Sequence, residues 1–467
     1  MRGALWRCPV ARTAAQCSPS TRRSRDAARV GKSARGPPRA VQRGPERVGF
    51  RAAGMAATSD EVAARDPSSE PARVVRVWTR ADTDGRLLDG GAPWEASLEA
   101  TPEIRLVAGS SARASSDDAD TSAFDPVAFF DAARAARLGR VLYTAATLAS
   151  TQSMLQTNMV HGSKPDNRQN RQQTHALPRG SRFPTGTVVV ADRQVSGRGR
   201  GGNAWTSPDG CLMFSFLATH ADGRTLPFLQ YVATMAAVDA IQDCADEALA
   251  EAAAAHDERV VFRRGSGKSV DVRVKWPNDL YSGGLKIGGV LCTSTYTEGA
   301  FDVVVGVGIN LDNDAPTTCV NAIIGAAWDA ILAESEAQKA SKSGERRAGN
   351  AADAENKRVK QTRKQPRDVS RERLAAGFMN RFEALCGLLN HAGGFEPLEP
   401  AYLRQWLHTD QKVVLEEGGG AKTEVTVRGL TKTGYLLATD AAGARFELHP
   451  DGNSFDFFQG LVKKKLP

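Results

Sequence analysis

Two segments of the chain carry side chains that could do chemistry on an anion. In SGRGRGGNAWTSPDG (196–210) the glycines 197, 199, 201 and 202 alternate with or follow Arg198 and Arg200. Glycines let backbone amides approach a ligand closely, and the two guanidinium groups are planar, permanent donors suited to phosphate or carboxylate. KWPNDLYSGGLKIGGVL (275–291) adds Lys275, Lys286, Asn278 and Asp279 around a tight turn. Lys286 could hold a phosphate as a point charge, and Asp279 could bind Mg²⁺ or orient an incoming amine. Each segment also has a plain reading: a glycine-rich surface loop, or solvated lysines around an Asn-Asp turn. A third reading of the first is an Arg-Gly RNA-binding box, although such boxes repeat in disordered sequence and this one occurs once. Both segments together in one domain favour anion chemistry. Two lookalikes drop out. GSGKS (265–269) lacks the first P-loop glycine, because position 262 is Phe262, and GVGIN (306–310) is followed by Leu311 where a dinucleotide fingerprint needs glycine.

The elements that must position these residues are short apolar runs bounded by Gly, Pro or Asp. TVVVAD (187–192), CLMFSFL (211–217), VRVKW (272–276), IGGVLCTSTY (287–296) and FDVVVGVGI (301–309) read as buried strands. Between the second and third, Leu229, Val232, Ala233, Ala236, Ala240, Ile241 and Cys244 follow helical spacing and give one apolar face. Strands mixed with helices indicate an α/β or α+β layer. Segments 161–184 and 334–371 are polar or charged and read as surface insertions. After a helical stretch at 373–390, residues 411–462 hold short alternating runs separated by Gly-rich turns, the pattern of a small β-barrel.

The chain has 467 residues, 41% hydrophobic and 24% charged, which allows two or three domains. No apolar run reaches the roughly 18 residues a membrane-spanning helix needs. The net charge of +8 is misleading, because residues 1–55 hold 13 Arg and Lys against Asp26 and Glu46, a local +11. That leaves −3 for residues 56–467, so the body has no excess positive charge for a nucleic-acid backbone. The basic, Ala- and Ser-rich segment 1–55 fits an organellar transit peptide or a disordered basic tail, and Met55 offers a second start that would leave it out. Residues 56–122 read as a polar, disordered linker. Seven scattered cysteines with no CxxC pair point to free thiols in a reducing compartment, with neither a disulfide framework nor a zinc site.

The order Ser150-Thr151-Gln152, Gln194, GRGR-x-G-x-x-W-x-S-P (197–208), KWPND (275–279), LKIGGVL (285–291) and GVGIN (306–310) resembles the biotin protein ligases, or holocarboxylase synthetases. The closing ELHPDGNSFDFFQGLV (447–462) is similar to plant-type eukaryotic members. The resemblance implies a mixed α/β catalytic domain like that of class II aminoacyl-tRNA synthetases over 123–400, and an SH3-like β-barrel over 401–467. It implies that ATP and Mg²⁺ activate biotin to biotinyl-5′-AMP, which then biotinylates a lysine of the biotin carboxyl-carrier domains of acetyl-CoA and related carboxylases. Ser150, Thr151, Gln152, Gln194, Arg198, Gly199 and Lys286 match biotin-binding positions. Arg198, Arg200, Trp205, Asn278, Lys286 and Asn310 match adenylate or nucleotide positions. Lys286, Arg200 and Asp279 match the catalytic set, with Asp279 the one candidate for Mg²⁺. Gln152 stands where the family often has Asn or His. No helix-turn-helix pattern precedes the catalytic region, and neither a nucleic-acid nor a membrane partner is implied. The alternatives are a lipoate or octanoate ligase of the same fold and, from another class, a non-catalytic nucleic-acid binder using the Arg-Gly loop. Chloroplast or mitochondrion is the expected destination, with a cytosolic product if translation starts at Met55.

Overall fold

In chain order the regular elements of the computed structural model are β1 (Arg73–Thr79), β2 (Ile104–Ala108), α1 (Pro126–Ala132), β3 (Val141–Leu148), α2 (Thr151–Thr157), β4 (Thr187–Gln194), the two-residue strands β5 (Gly197–Arg198) and β6 (Ala204–Trp205), and β7 (Cys211–His220). There follow α3 (Leu229–Ala254), β8 (Arg273–Lys275), β9 (Asp279–Ser282), β10 (Leu285–Thr297), β11 (Ala300–Asn310), α4 (Val320–Ser343), α5 (Arg371–Ala392), α6 (Glu399–Gln405) and six C-terminal strands. Those strands are β12 (Lys412–Glu416), β13 (Lys422–Leu430), β14 (Leu436–Thr439), β15 (Arg445–Leu448), β16 (Asn453–Asp456) and β17 (Leu461–Lys464). The structure describes residues 73–79, 104–108, 122–157, 183–255, 269–297, 299–343, 365–416, 422–450, 453–456 and 461–464. The expected presequence (1–55) and the interior of both expected insertions lie outside the described residues.

A nine-stranded mixed sheet, in the order β2-β1-β3-β4-β7-β11-β10-β9-β8, forms the frame. Pairing is parallel between β1 and β2 and between β3 and β4, and antiparallel elsewhere. All five strands read from sequence are present, with ends moved by a few residues. GVGIN ends β11, antiparallel to β7, which removes the dinucleotide-loop reading on geometric grounds. One sheet face carries Tyr143, Leu148, Met154, Phe183 and Val189, and the other packs on α3 and α5. Phe214 and Phe216 of β7 meet Phe378 and Phe382 of α5 at ring-centroid separations of 5.0–5.9 Å. Each of these rings contributes about 2–3 kcal/mol by leaving water.

Four expectations need correction. Residues 56–122 are not wholly a linker: β1 and β2 extend the sheet beyond β3, with Val75 opposite Ala145 and Val77 opposite Tyr143. The β-branched runs RVVRVWT and IRLVA are diluted by the polar sequence around them, so averaging over the segment hides them. α3 is not apolar on one face only, being buried around most of its circumference between the sheet, α4, α5 and α6. Its small alanines make that closeness possible. The insertions are shorter than expected: Phe183 packs edge-on against Tyr143 at 5.1 Å, α4 continues to Ser343, and Val369 is buried beside α5. Finally, α6 straddles the boundary expected at 400–401, and Trp406 just after it bridges to Val274 of β8.

The C-terminal strands form a six-stranded sheet in the order β15-β14-β13-β12-β17-β16, with β12 and β17 parallel. A small β unit thus follows the mixed sheet and its helices. The five described cysteines, Cys211, Cys244, Cys292, Cys319 and Cys386, are free thiols. Burial raises the pKa of Cys211, Cys244, Cys292 and Cys386 to about 12, which makes these four inert packing residues.

Candidate active site

The strand ends and the Arg-Gly loop enclose a cavity of about 340 Å³. Ser150, Thr151 and Gln152 reach it from the junction of β3 and α2, and Gln194 from the end of β4. This side is closed and hydrogen-bonded. Gln194 Oε1 accepts from the Thr151 amide at 2.8 Å and from its hydroxyl at 3.1 Å. The Thr151 hydroxyl also meets Ser215 Oγ at 2.8 Å. Gln152 donates to Thr293 Oγ1 at 3.0 Å and to the Val304 carbonyl at 3.2 Å, and accepts from Ser215 at 3.2 Å. Gly306 stands where a Cβ would come within 2.4 Å of Gln152 Oε1, so a strand glycine makes room for the longer side chain at position 152.

The Arg-Gly segment is a small ribbon, not an open loop. β5 pairs with β6, Gly199 N–H donates to the Asn203 carbonyl at 2.7 Å, and the turn between them passes through Gly201 and Gly202 at φ 67° and 83°. Those left-handed angles require glycine. The ribbon brings Arg198, Gly199 and Arg200 to the cavity and lays Trp205 over β11. Gly308 is the reason Trp205 fits, because a Cβ there would lie 2.7 Å from the indole. The Trp205 indole N–H is buried with no acceptor among the described residues, a donor that a ligand would satisfy.

Opposite the ribbon, Lys286 Nζ lies 2.7 Å from Asp279 Oδ1 and 5.8 Å from the centre of the Trp205 ring. β9 and β10 run antiparallel, with Gly289 opposite Asp279, and a bulge between Lys286 and Gly288 resets the register. The Thr317 hydroxyl donates to the Lys286 carbonyl at 2.5 Å. Asn278 is held by Val290 through both its side chain and its backbone at 2.9 Å, so its amide serves the turn while the residue lines the cavity.

The fold thus gathers every sequence-predicted site residue but one. Asn310 does not line the cavity: it is 5% exposed and its amide donates to Thr317 Oγ1 and the Thr318 carbonyl at 3.1 and 3.2 Å. These bonds close the end of β11 against the following loop, so Asn310 stands just outside the cavity lining. The sequence reading missed Ser215, whose signal was a lone hydroxyl in the apolar run CLMFSFL. Lys275, which read either as a solvated lysine or as part of the anion chemistry, lines the cavity, as does Pro450, which had no assigned role. Arg198, Arg200 and Lys286 thus gather around one concavity.

No cluster of three His, Cys, Asp or Glu able to hold a metal exists among the described residues. Among the described residues Asp279 is the one carboxylate that lines the cavity.

A profile of the Biotin/lipoate A/B protein ligase family matches residues 167–310. The chain is 36% identical over 351 residues to "Biotin--protein ligase 1, chloroplastic" of Arabidopsis thaliana, covering 74% of this chain and 75% of that one. It is 37% identical over 350 residues to "Biotin--protein ligase 2" of the same plant, covering 74% and 84%. To the biotin–protein ligase of Homo sapiens it is 32% identical over 285 residues, 60% of this chain and 32% of that one. Among solved structures, a biotin protein ligase from Aquifex aeolicus in complex with biotin and ATP aligns at 21% identity and TM-score 0.36, covering 66% of this chain and 94% of that one.

Proposed function

The chain belongs to the Biotin/lipoate A/B protein ligase family and, within it, to the biotin protein ligases, and from that premise we propose how its own residues activate biotin with ATP and pass it to a protein lysine. In the first half-reaction a biotin carboxylate oxygen attacks the α-phosphorus of ATP. The bond to the β-phosphate breaks, pyrophosphate leaves, and the mixed anhydride biotinyl-5′-AMP remains. In the second, a carrier lysine amine attacks the anhydride carbonyl, AMP leaves, and an amide forms with loss of one amine proton.

The observation that carries this reading is the meeting of Arg198, Arg200 and Lys286 around one cavity from segments far apart in sequence. Both half-reactions gather negative charge on phosphate, and fixed cations stabilise such charge most in a partly water-excluded site. Lys286, held in place by Asp279, is assigned the carboxylate and α-phosphate oxygens. Ser150, Thr151, Gln152, Gln194 and Gly199 are assigned the polar ring and carboxylate end of biotin, since they offer a fixed array of buried donors and acceptors. Arg198 and Arg200 are assigned the adenylate, and Trp205 with Asn278 the wall beside it. The ribbon bearing the arginines shields the anhydride from water. Mg²⁺ would neutralise the phosphates of ATP, with Asp279 the residue available to it.

The biotin carboxyl-carrier domains of acetyl-CoA and related carboxylases are the proposed acceptors. For residues 1–55 we propose plastid targeting, supported by their basic, acid-poor composition and by the word "chloroplastic" in the first Arabidopsis relative's name. The mitochondrion and a cytosolic product from Met55 are the competing destinations. Fusing residues 1–60 to a fluorescent protein tests this, and exclusion from plastids overturns it. For the activity, purified protein is incubated with biotin, ATP, Mg²⁺ and a carrier domain, and the domain is weighed. A gain of one biotinyl group is expected. Pyrophosphate exchange stimulated by lipoate or octanoate and not by biotin would replace this reading with the lipoate-ligase one.

A further inference from the structure

The cavity wall made by residues 275–278 is fastened from outside the catalytic sheet. Its backbone leaves β8, whose Val274 pairs with Trp406 while the Leu407 amide donates to the Val274 carbonyl at 2.9 Å. Two residues beyond Val274, the Trp276 amide donates to His408 Nε2 at 2.9 Å. His408 is fully buried, and its other nitrogen, Nδ1, lies 2.9 Å from Gln411 Oε1. These bonds fix the tautomer: Nε2 accepts from an amide, so Nδ1 carries the hydrogen and donates to Gln411. Burial, with Lys275 nearby, lowers the imidazole pKa to about 4 and keeps the ring neutral, the only state in which Nε2 can accept. The Trp276 indole donates to the Tyr231 hydroxyl at 2.9 Å, and that hydroxyl donates to the Gly434 carbonyl in the turn before β14. Lys275, Trp276, Pro277 and Asn278, all cavity-lining, therefore hang between the connection from α6 to β12 and the turn before β14.

We infer that His408 is a positioning residue for the nucleotide-side wall 275–278, which makes the C-terminal strand unit a working part of the active site. Its effect on turnover rests on the ligase reading above, whereas its effect on the wall does not. A hydrophobic core contact alone would not require an acceptor aimed at the one free amide between Lys275 and Pro277. The imidazole supplies that acceptor, and Gln411 prevents the ring from presenting N–H to it.

The test uses the full chain. Amide hydrogen exchange is followed over peptides spanning 270–285, 187–194 and 229–254 in wild type, His408→Ala and His408→Gln. Biotin-dependent ATP–pyrophosphate exchange is measured beside it. His408→Ala is expected to speed exchange at Trp276 at least tenfold with β4 and α3 unchanged, and to raise KM for ATP about tenfold while KM for biotin moves less than twofold. His408→Gln, which can again accept from Trp276, is expected to recover most of both. Gln411→Met, which removes the tautomer-fixing acceptor and leaves the core filled, should shift the same two readouts in the same direction and serves if His408→Ala does not fold. Unchanged protection at Trp276, or equal loss across all three peptides, overturns the inference. So does an equal rise in both KM values. Wild type inert towards biotin, with the Trp276 effect intact, would fail the ligase reading and leave the positioning role standing.

Discussion

Thr151 and Lys286 face the same cavity from surroundings that differ in kind. Thr151 is 3% exposed, and its hydroxyl and amide are already tied to Gln194 and Ser215. The Lys286 side chain is 39% exposed, its ammonium held by one carboxylate and set beside an indole face. The first wall is a dry, neutral network made from β3, β4, β7 and α2. The second is a wetter, cationic rim made from a ribbon and two hairpin strands. A neutral polar ring is recognised by hydrogen bonds whose geometry is fixed before the ligand arrives, so the residues that read it sit on the rigid sheet. Phosphate charge that grows during reaction needs cations already in place, but the site must also open for ATP and for a carrier lysine.

Breaking the second wall should cost most. Lys286→Ala is expected to lower biotin-dependent pyrophosphate exchange by about 10²-fold or more. An exchange rate within threefold of wild type removes Lys286 from the chemistry. Arg200→Ala separates charge from shielding: the yield of biotinylated carrier should fall about tenfold further than adenylate formation, with free biotinyl-5′-AMP appearing in solution. Equal loss in both half-reactions contradicts a shielding ribbon. On the first wall, Thr151→Val removes one buried hydroxyl and should raise KM for biotin about tenfold, the cost of about 1–2 kcal/mol of lost hydrogen bonding, with kcat nearly unchanged. A fall in kcat at constant KM would show that the network acts on the transition state instead.

A separate effect falls on stability. His408 has a folded pKa near 4 against an ordinary 6.5, so its contribution is fully present above pH 6.5 and is lost as pH falls towards 4, where the unfolded chain takes up the proton first. The contribution at stake is about 3 kcal/mol. Denaturant melts of wild type and His408→Gln between pH 7 and 4.5 should converge as pH falls. Parallel curves would show that the imidazole titrates normally.

Much of the site could be read along the chain because its chemistry is written locally. Arg198 and Arg200 among glycines, taken together with Lys286 at the head of a glycine-bearing strand, favour anion chemistry over a plain loop and turn. The five strands that hold them follow from short apolar runs with clear punctuation. Ser215 was harder to read, because one hydroxyl inside CLMFSFL is equally compatible with a satisfied core serine until Thr151 and Gln152 are seen to reach it. Asn310 matches a nucleotide position by its place beside GVG, and the structure adds what the sequence does not show, that its amide donates to Thr317 Oγ1 and the Thr318 carbonyl.

By itself the sequence determined the ordered motifs, the alternation of strands and helices, and the contrast between a basic first 55 residues and a slightly acidic body. Each of those depends on neighbours within a few residues. Only the tertiary structure decided that β1 and β2 join the sheet, that α3 is enclosed on nearly every side, and that His408 grips Trp276 from 132 residues away. Periodicity reports which face of an element is apolar, but not which partner covers it or which distant acceptor meets a given amide. Those choices are made when backbone groups and side chains far apart in the chain must all be satisfied at once in a close-packed interior.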